Sequence, residues 1–76
     1  MITVRYFAGA RAAAGVATTE FPAGLSIADL VERASPELAK VYGAASFLVD
    51  GLSWKDRHEP LPTGCTLDVL PPFAGG

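Results

Sequence analysis

Ser26 followed three residues later by Asp29 is a capping-box pattern, and Ile27, Leu30, Val31 and Ala34 behind it fall on one helical face. A helix with one apolar stripe must bury that stripe against another element. The segments on either side of it read as strands, so this stretch constrains the chain to a helix packed on a sheet.

Residues 2–8 alternate with period two: Ile2, Val4 and Tyr6 point one way, Thr3, Arg5 and Phe7 the other. This predicts the first strand. Gly9 and Gly15 bracket residues 10–14, whose alanines and Arg11 favour a short helical turn that the following glycine can end. Thr18-Thr19-Glu20-Phe21, stopped by Pro22-Ala23-Gly24, predicts a second strand paired to the first across this elaborated loop. After the capping-box helix, Ser35-Pro36 restarts with a cap and a proline at the first helical position, predicting a separate turn from Leu38 to Tyr42 before Gly43. Phe47-Leu48-Val49 and Leu52-Ser53-Trp54 flank Asp50-Gly51, a dipeptide suited to a tight hairpin because both positions tolerate positive φ. Residues 55–61 are polar and loop-like, Pro62-Thr63-Gly64 makes a turn, and residues 66–70 form a last strand with Leu67 and Val69 inward.

The expected order is β-β-α-β-β-β with small helical insertions, an α+β architecture in which a mixed sheet of four to five strands packs on one principal helix. The first and last strands are expected side by side at its centre. On the other face, partly exposed, Phe7 and Leu70 are expected among Thr3, Arg5 and Asp68, an apolar group suited to docking.

With 76 residues the chain makes one small domain, near the size at which a single core just suffices. A net charge of −2 with charges scattered and no basic patch argues against nucleic acid as a partner. No apolar run is long enough for a membrane span or a signal peptide, so a cytoplasmic location is expected. The lone cysteine, Cys65, excludes an internal disulfide and a multi-cysteine metal site, and its place at a strand start fits a small apolar filler better than a reactive thiol. His58, with Asp56 and Glu59 beside it, reads as part of a solvated loop, and no metal site is expected.

Beyond residues 1–70, the apolar patterning stops while the sequence remains specified. Residues 71–76, Pro71-Pro72-Phe73-Ala74-Gly75-Gly76, carry no charged side chain, open with two prolines that favour extended backbone and finish on two glycines. The segment reads as a stiff stalk with a thin tip. Its one ionisable group is the α-carboxylate of Gly76, ionised at neutral pH because its reference pKa is about 3.5.

Val4-Arg5-Tyr6-Phe7-Ala8, Arg11 and Gly15, the Asp50-Gly51 hairpin, the Pro62-Thr63-Gly64 turn and above all Asp68-Val69-Leu70-Pro71-Pro72-Phe73-Ala74-Gly75-Gly76 give the chain a resemblance. It resembles the ubiquitin-like β-grasp sulphur carriers, most closely the small subunits of molybdopterin synthase. Ala12 departs from the pattern, standing where an acidic residue is common. The resemblance implies a carrier that binds no cofactor and is not an enzyme alone. A ubiquitin-activating-like adenylyltransferase would use ATP to adenylate the Gly76 carboxylate, and a sulphur donor protein would convert the acyl-adenylate to a thiocarboxylate. The tail, Pro71, Pro72, Phe73, Ala74 and Gly75, would thread into the large subunit of molybdopterin synthase, and Phe7, Leu70 and Arg5 would dock. Sulphur would then pass to a cyclic pyranopterin phosphate in molybdenum cofactor biosynthesis. The same ending is compatible with a carrier for thiamine or cysteine biosynthesis, or with a ubiquitin-like protein modifier.

Overall fold

The computed structural model describes residues 1–72. Strand β1 (Ile2–Tyr6) leads into helix α1 (Ala8–Ala14) and strand β2 (Thr18–Phe21). Helices α2 (Ile27–Glu32) and α3 (Pro36–Ala44) follow, then strands β3 (Ser46–Val49), β4 (Leu52–Ser53) and β5 (Thr66–Leu70). The five strands form one mixed sheet in the order β2-β1-β5-β3-β4. Strand β5, last in sequence, lies at the centre, parallel to β1 and antiparallel to β3. The expected neighbourhood of first and last strands is observed.

The alternation in β1 is realised in burial: Ile2, Val4 and Tyr6 are in the core, while Arg5 and Phe7 are exposed. Phe47 and Val49 from β3, and Leu67 and Val69 from β5, join them on the same side. Ala10, Ile27, Leu30, Leu38 and Tyr42 of the helices close over this face. Tyr42 is the hub, nearly inaccessible, edge-on to Tyr6 at 6.4 Å and stacked on Phe47 at 6.1 Å.

The helix boundaries follow local chemistry. Ser26 Oγ accepts the Asp29 backbone N–H at 3.2 Å and Asp29 Oδ2 accepts the Ser26 N–H at 2.9 Å, completing the capping box that opens α2. Helix α1 ends at Gly15, whose φ of +79° suits glycine and whose N–H returns to the Arg11 carbonyl. Asp50 and Gly51 take φ of +49° and +85°, the positive values a type I′ hairpin needs. Arg57, in the loop before β5, donates to the Tyr42 carbonyl near the C-terminal end of α3 at 2.9 Å and lies over the Phe47 ring. That places a cation at the carbonyl end of the helix, where the macrodipole favours it.

Three expectations need correction. The helical layer has no single principal helix: α2 spans six residues and α3, expected only as a turn over residues 38–42, spans nine. Pro36 with the Ser35 cap starts α3, and the chain stays helical through Gly43 because Leu38 and Tyr42 anchor it in the core. The first strand stops at Tyr6 rather than Ala8, because Ala8 turns into the left-handed region (φ +47°) and opens α1. The third correction concerns Asp68, whose position on the outer face does not leave it exposed.

Candidate docking face and carrier tail

Because β1 and β5 run parallel in register, Thr3 opposite Thr66 and Arg5 opposite Asp68, their C-terminal ends emerge at the same edge of the sheet. Phe7, just past β1, therefore comes beside Leu70, the last residue of β5. Thr3, Arg5 and Phe7 share the face turned away from the helices with Thr66, Asp68 and Leu70.

Asp68 on this face is 7% exposed because Arg5 covers it. The guanidinium binds the carboxylate through two bonds, Nε to Oδ1 at 2.6 Å and Nη2 to Oδ2 at 2.8 Å. This fork-to-fork geometry is the strong form of a charged hydrogen bond. The same guanidinium lies 5.6 Å from the centroid of the Phe7 ring. One arginine thus neutralises the acid of the central strand and packs against the exposed aromatic, so the face presents apolar surface with its charge already paired.

Next to it, Phe7, Ala8, Gly9, Ser46, Leu70, Pro71 and Pro72 line a groove of about 530 Å³. Phe7, Leu70 and Arg5 are therefore brought together as expected, and Pro71 and Pro72 leave β5 along the groove wall. Ser46 and the Ala8-Gly9 corner were not expected there. Ser46 arrives only through the β3–β5 register, which pairs it with Leu70 and which no local pattern announces. Phe73, Ala74, Gly75 and Gly76, the rest of the expected tail, lie outside the described residues.

Elsewhere, Cys65 is fully buried, and burial first, then the charge of Asp50, pushes its thiol pKa up. Both oppose thiolate formation, as expected of a filler. Asp56 Oδ1 accepts the backbone N–H groups of His58 and Glu59 at 2.8 and 3.0 Å, which explains this polar loop as a turn. Among the described residues no group of three or more His, Cys, Asp or Glu side chains is placed to hold a metal ion. Nor, among the described residues, is any helix long and apolar enough to cross a membrane.

No protein-family model and no curated protein sequence matches the chain. Solved structures do. SAMP1 from Haloferax volcanii superposes with a TM-score of 0.72 at 23% identity, over 99% of this chain and 98% of that one. A protein described as molybdopterin converting factor, subunit 1, from Pyrococcus furiosus gives 0.68 at 27% identity, over 95% and 97%. A chain in the complex of subunits 1 and 2 of molybdopterin-converting factor from Helicobacter pylori 26695 gives 0.68 at 19% identity, over 99% and 97%. The five-stranded mixed sheet, its helical layer and these near-complete superpositions give the chain the ubiquitin-like β-grasp fold, similar along almost its whole length to molybdopterin converting factor subunit 1 and to SAMP1.

Proposed function

We propose that this protein is a sulphur carrier whose reactive atom is the carboxyl carbon of Gly76, and that it serves molybdopterin synthesis. The observation that carries the reading is the parallel β1–β5 pair, which sets the departure of a Pro-Pro-Phe-Ala-Gly-Gly segment beside a charge-paired apolar groove. A tail that must enter another protein's pocket needs such a shelf at its root. The similarity to a chain of the subunit 1–subunit 2 complex supports a large-subunit partner.

The chemistry divides between proteins. A carboxylate is a poor acyl donor. In this reading an adenylyltransferase lets a Gly76 carboxylate oxygen attack the α-phosphorus of ATP, expelling pyrophosphate and forming an acyl-adenylate. A donor protein's persulphide then attacks the acyl carbon and AMP leaves, and a thiol cleaves the acyl disulphide so formed, taking the donor sulphur as a disulphide and releasing the thiocarboxylate. The resulting thiocarboxylate is delivered to the large synthase subunit, where its sulphur passes to a cyclic pyranopterin phosphate. The carrier contributes the acyl group and the docking shelf, and Gly75 and Gly76 offer no Cβ to a narrow channel.

The test is to incubate the purified protein with a candidate adenylyltransferase, ATP and a sulphur donor, and to weigh it intact. One oxygen replaced by sulphur at Gly76 is the expected result; an unchanged mass with partners active on their own carriers would remove the carrier reading. Supply of sulphur to a large synthase subunit then separates molybdopterin synthesis from thiamine or cysteine pathways.

A second reading, a ubiquitin-like modifier, is favoured by the superposition on SAMP1, whose structure is also described under the name small archaeal modifier protein 1. It uses the same acyl-adenylate and predicts an isopeptide bond between Gly76 and lysines of other proteins in cells.

A further inference from the structure

Strand β5 is hydrogen-bonded on both sides, and its backbone groups alternate between its neighbours. Toward β1 the odd-numbered residues are used: the Thr3 N–H reaches the Cys65 carbonyl at 3.0 Å and the Phe7 N–H reaches the Val69 carbonyl at 3.4 Å. In a parallel ladder of this register, the next bond runs from the N–H of residue 71 to the carbonyl of Phe7. Toward β3 the even-numbered residues are used, as the Asp50 N–H to the Thr66 carbonyl and the pairing of Leu70 with Ser46 show. There the next donor would be the N–H of residue 72, but the register would set it against Ala44, the last residue of helix α3, so the partner strand has already ended. Residues 71 and 72 are both prolines, and neither has an N–H.

We infer that Pro71 is a ladder stop: it silences the donor that would face Phe7 at the end of β1, and because the chain on the other flank has already turned into α3 and Pro72 adds no donor there, the tail is barred from the sheet. The acceptor on the β1 side is already diverted: the Phe7 carbonyl takes the Ala10 N–H at 2.9 Å and the Arg11 N–H at 3.4 Å at the head of α1. That second bond is long, so an N–H at residue 71 would compete for the oxygen. In the carrier reading, on which the functional consequence rests, the two prolines are positioning residues that keep the acyl end available to its partners.

The test uses the full 76-residue chain, which is short enough for chemical synthesis. Pro71→Ala and the double Pro71→Ala/Pro72→Ala variant each introduce backbone amides whose hydrogen exchange can be followed by NMR. The expected result is an amide at residue 71 protected by about tenfold over a free peptide, the protection of one ordinary hydrogen bond. The double variant should be thiocarboxylated with a higher KM for the carrier at little-changed kcat. N-methylalanine at both positions, which again lacks the N–H but has no ring, should restore the wild-type KM. Free-peptide exchange at residue 71 in both variants, or failure of N-methylalanine to rescue, would overturn the inference. Were the wild type never thiocarboxylated, the exchange result would still decide the ladder stop, and only the carrier reading would fall.

Discussion

The hydroxyl oxygens of Tyr6 and Tyr42 lie 3.2 Å apart inside the core, joining the central part of the sheet to helix α3. Each supplies the other's hydrogen-bond partner, and burial, followed by the contact with Tyr6, drives the Tyr42 phenol pKa upward. Removing one hydroxyl leaves the other buried and unpaired, which costs about 1–3 kcal/mol, whereas removing both strands neither. Tyr42→Phe should therefore lower the urea midpoint clearly, and Tyr6→Phe/Tyr42→Phe by less than the sum of the two single changes. Additive losses would show that the hydroxyls do not form a unit.

Arg5 and Asp68 call for a different comparison. Arg5→Ala uncovers an acid on the central strand and strips the cation from the Phe7 ring. Asp68→Asn leaves a neutral side chain that can still accept a bond from Arg5. Thermal melts should rank Arg5→Ala below Asp68→Asn, with Arg5→Lys intermediate because an ammonium cannot make both bonds of the fork. Equal melting points for Arg5→Ala and wild type would mean the pair contributes nothing.

Stability should fall at both ends of the pH scale. The Asp29 carboxyl is held below its usual range by the Ser26 backbone N–H and then the Ser26 side chain, and Asp56 by the N–H groups of His58 and Glu59. Groups acidified by folding lend stability above their unfolded pKa, about 3.9, and lose it as pH drops through the lower folded value. Cys65 and Tyr42 are shifted up, so their contribution is whole below the unfolded values, about 8.5 and 10, and is lost as pH rises toward the folded ones. Melting temperature against pH should show both declines, and Cys65→Ala should flatten the start of the alkaline one. The native thiol should also react with alkylating reagents only as fast as the protein opens.

Ala8 holds a φ of +47°, a conformation that costs a residue with a Cβ about 1–2 kcal/mol. Ala8→Gly relieves this but gives the unfolded chain about 0.4–1 kcal/mol of extra freedom. The relief is the larger effect, so a small gain in stability is expected, read as a higher urea midpoint at unchanged slope. A loss would mean that the Ala8 methyl contributes more through packing than it costs through its backbone.

Much of the fold could be read locally. The period-two run from Ile2, the Ser26–Asp29 box, the Asp50-Gly51 turn and the strand from Thr66 each carry their signal within a few residues, and apart from the early end of the first strand at Tyr6 each lies where the sequence placed it. What escaped depends on partners distant in sequence. Asp68 is buried because Arg5, 63 positions earlier, folds over it. Helix α3 runs past Gly43 because of the core contacts of Tyr42, and Ser46 joins the groove because β3 pairs with β5. Of the site, Phe7, Arg5 and Leu70 were legible from alternation alone, whereas the groove they border was not. It arises where β1 bends away at Ala8 while β5 continues, and nothing in either segment by itself announces that divergence.

The sheet order β2-β1-β5-β3-β4 has a bearing on how the molecule is made. Until residues 66–70 have been synthesised, β1 with β2 and β3 with β4 are two hairpins without the strand that joins them, and the core has lost Leu67 and Val69. Folding must therefore wait until β5 has been made. A chain halted before Leu70 never closes its core and is left to proteolysis. The order of the strands thus acts as proofreading, because a body stable enough to persist is one in which synthesis had already reached the root of the tail.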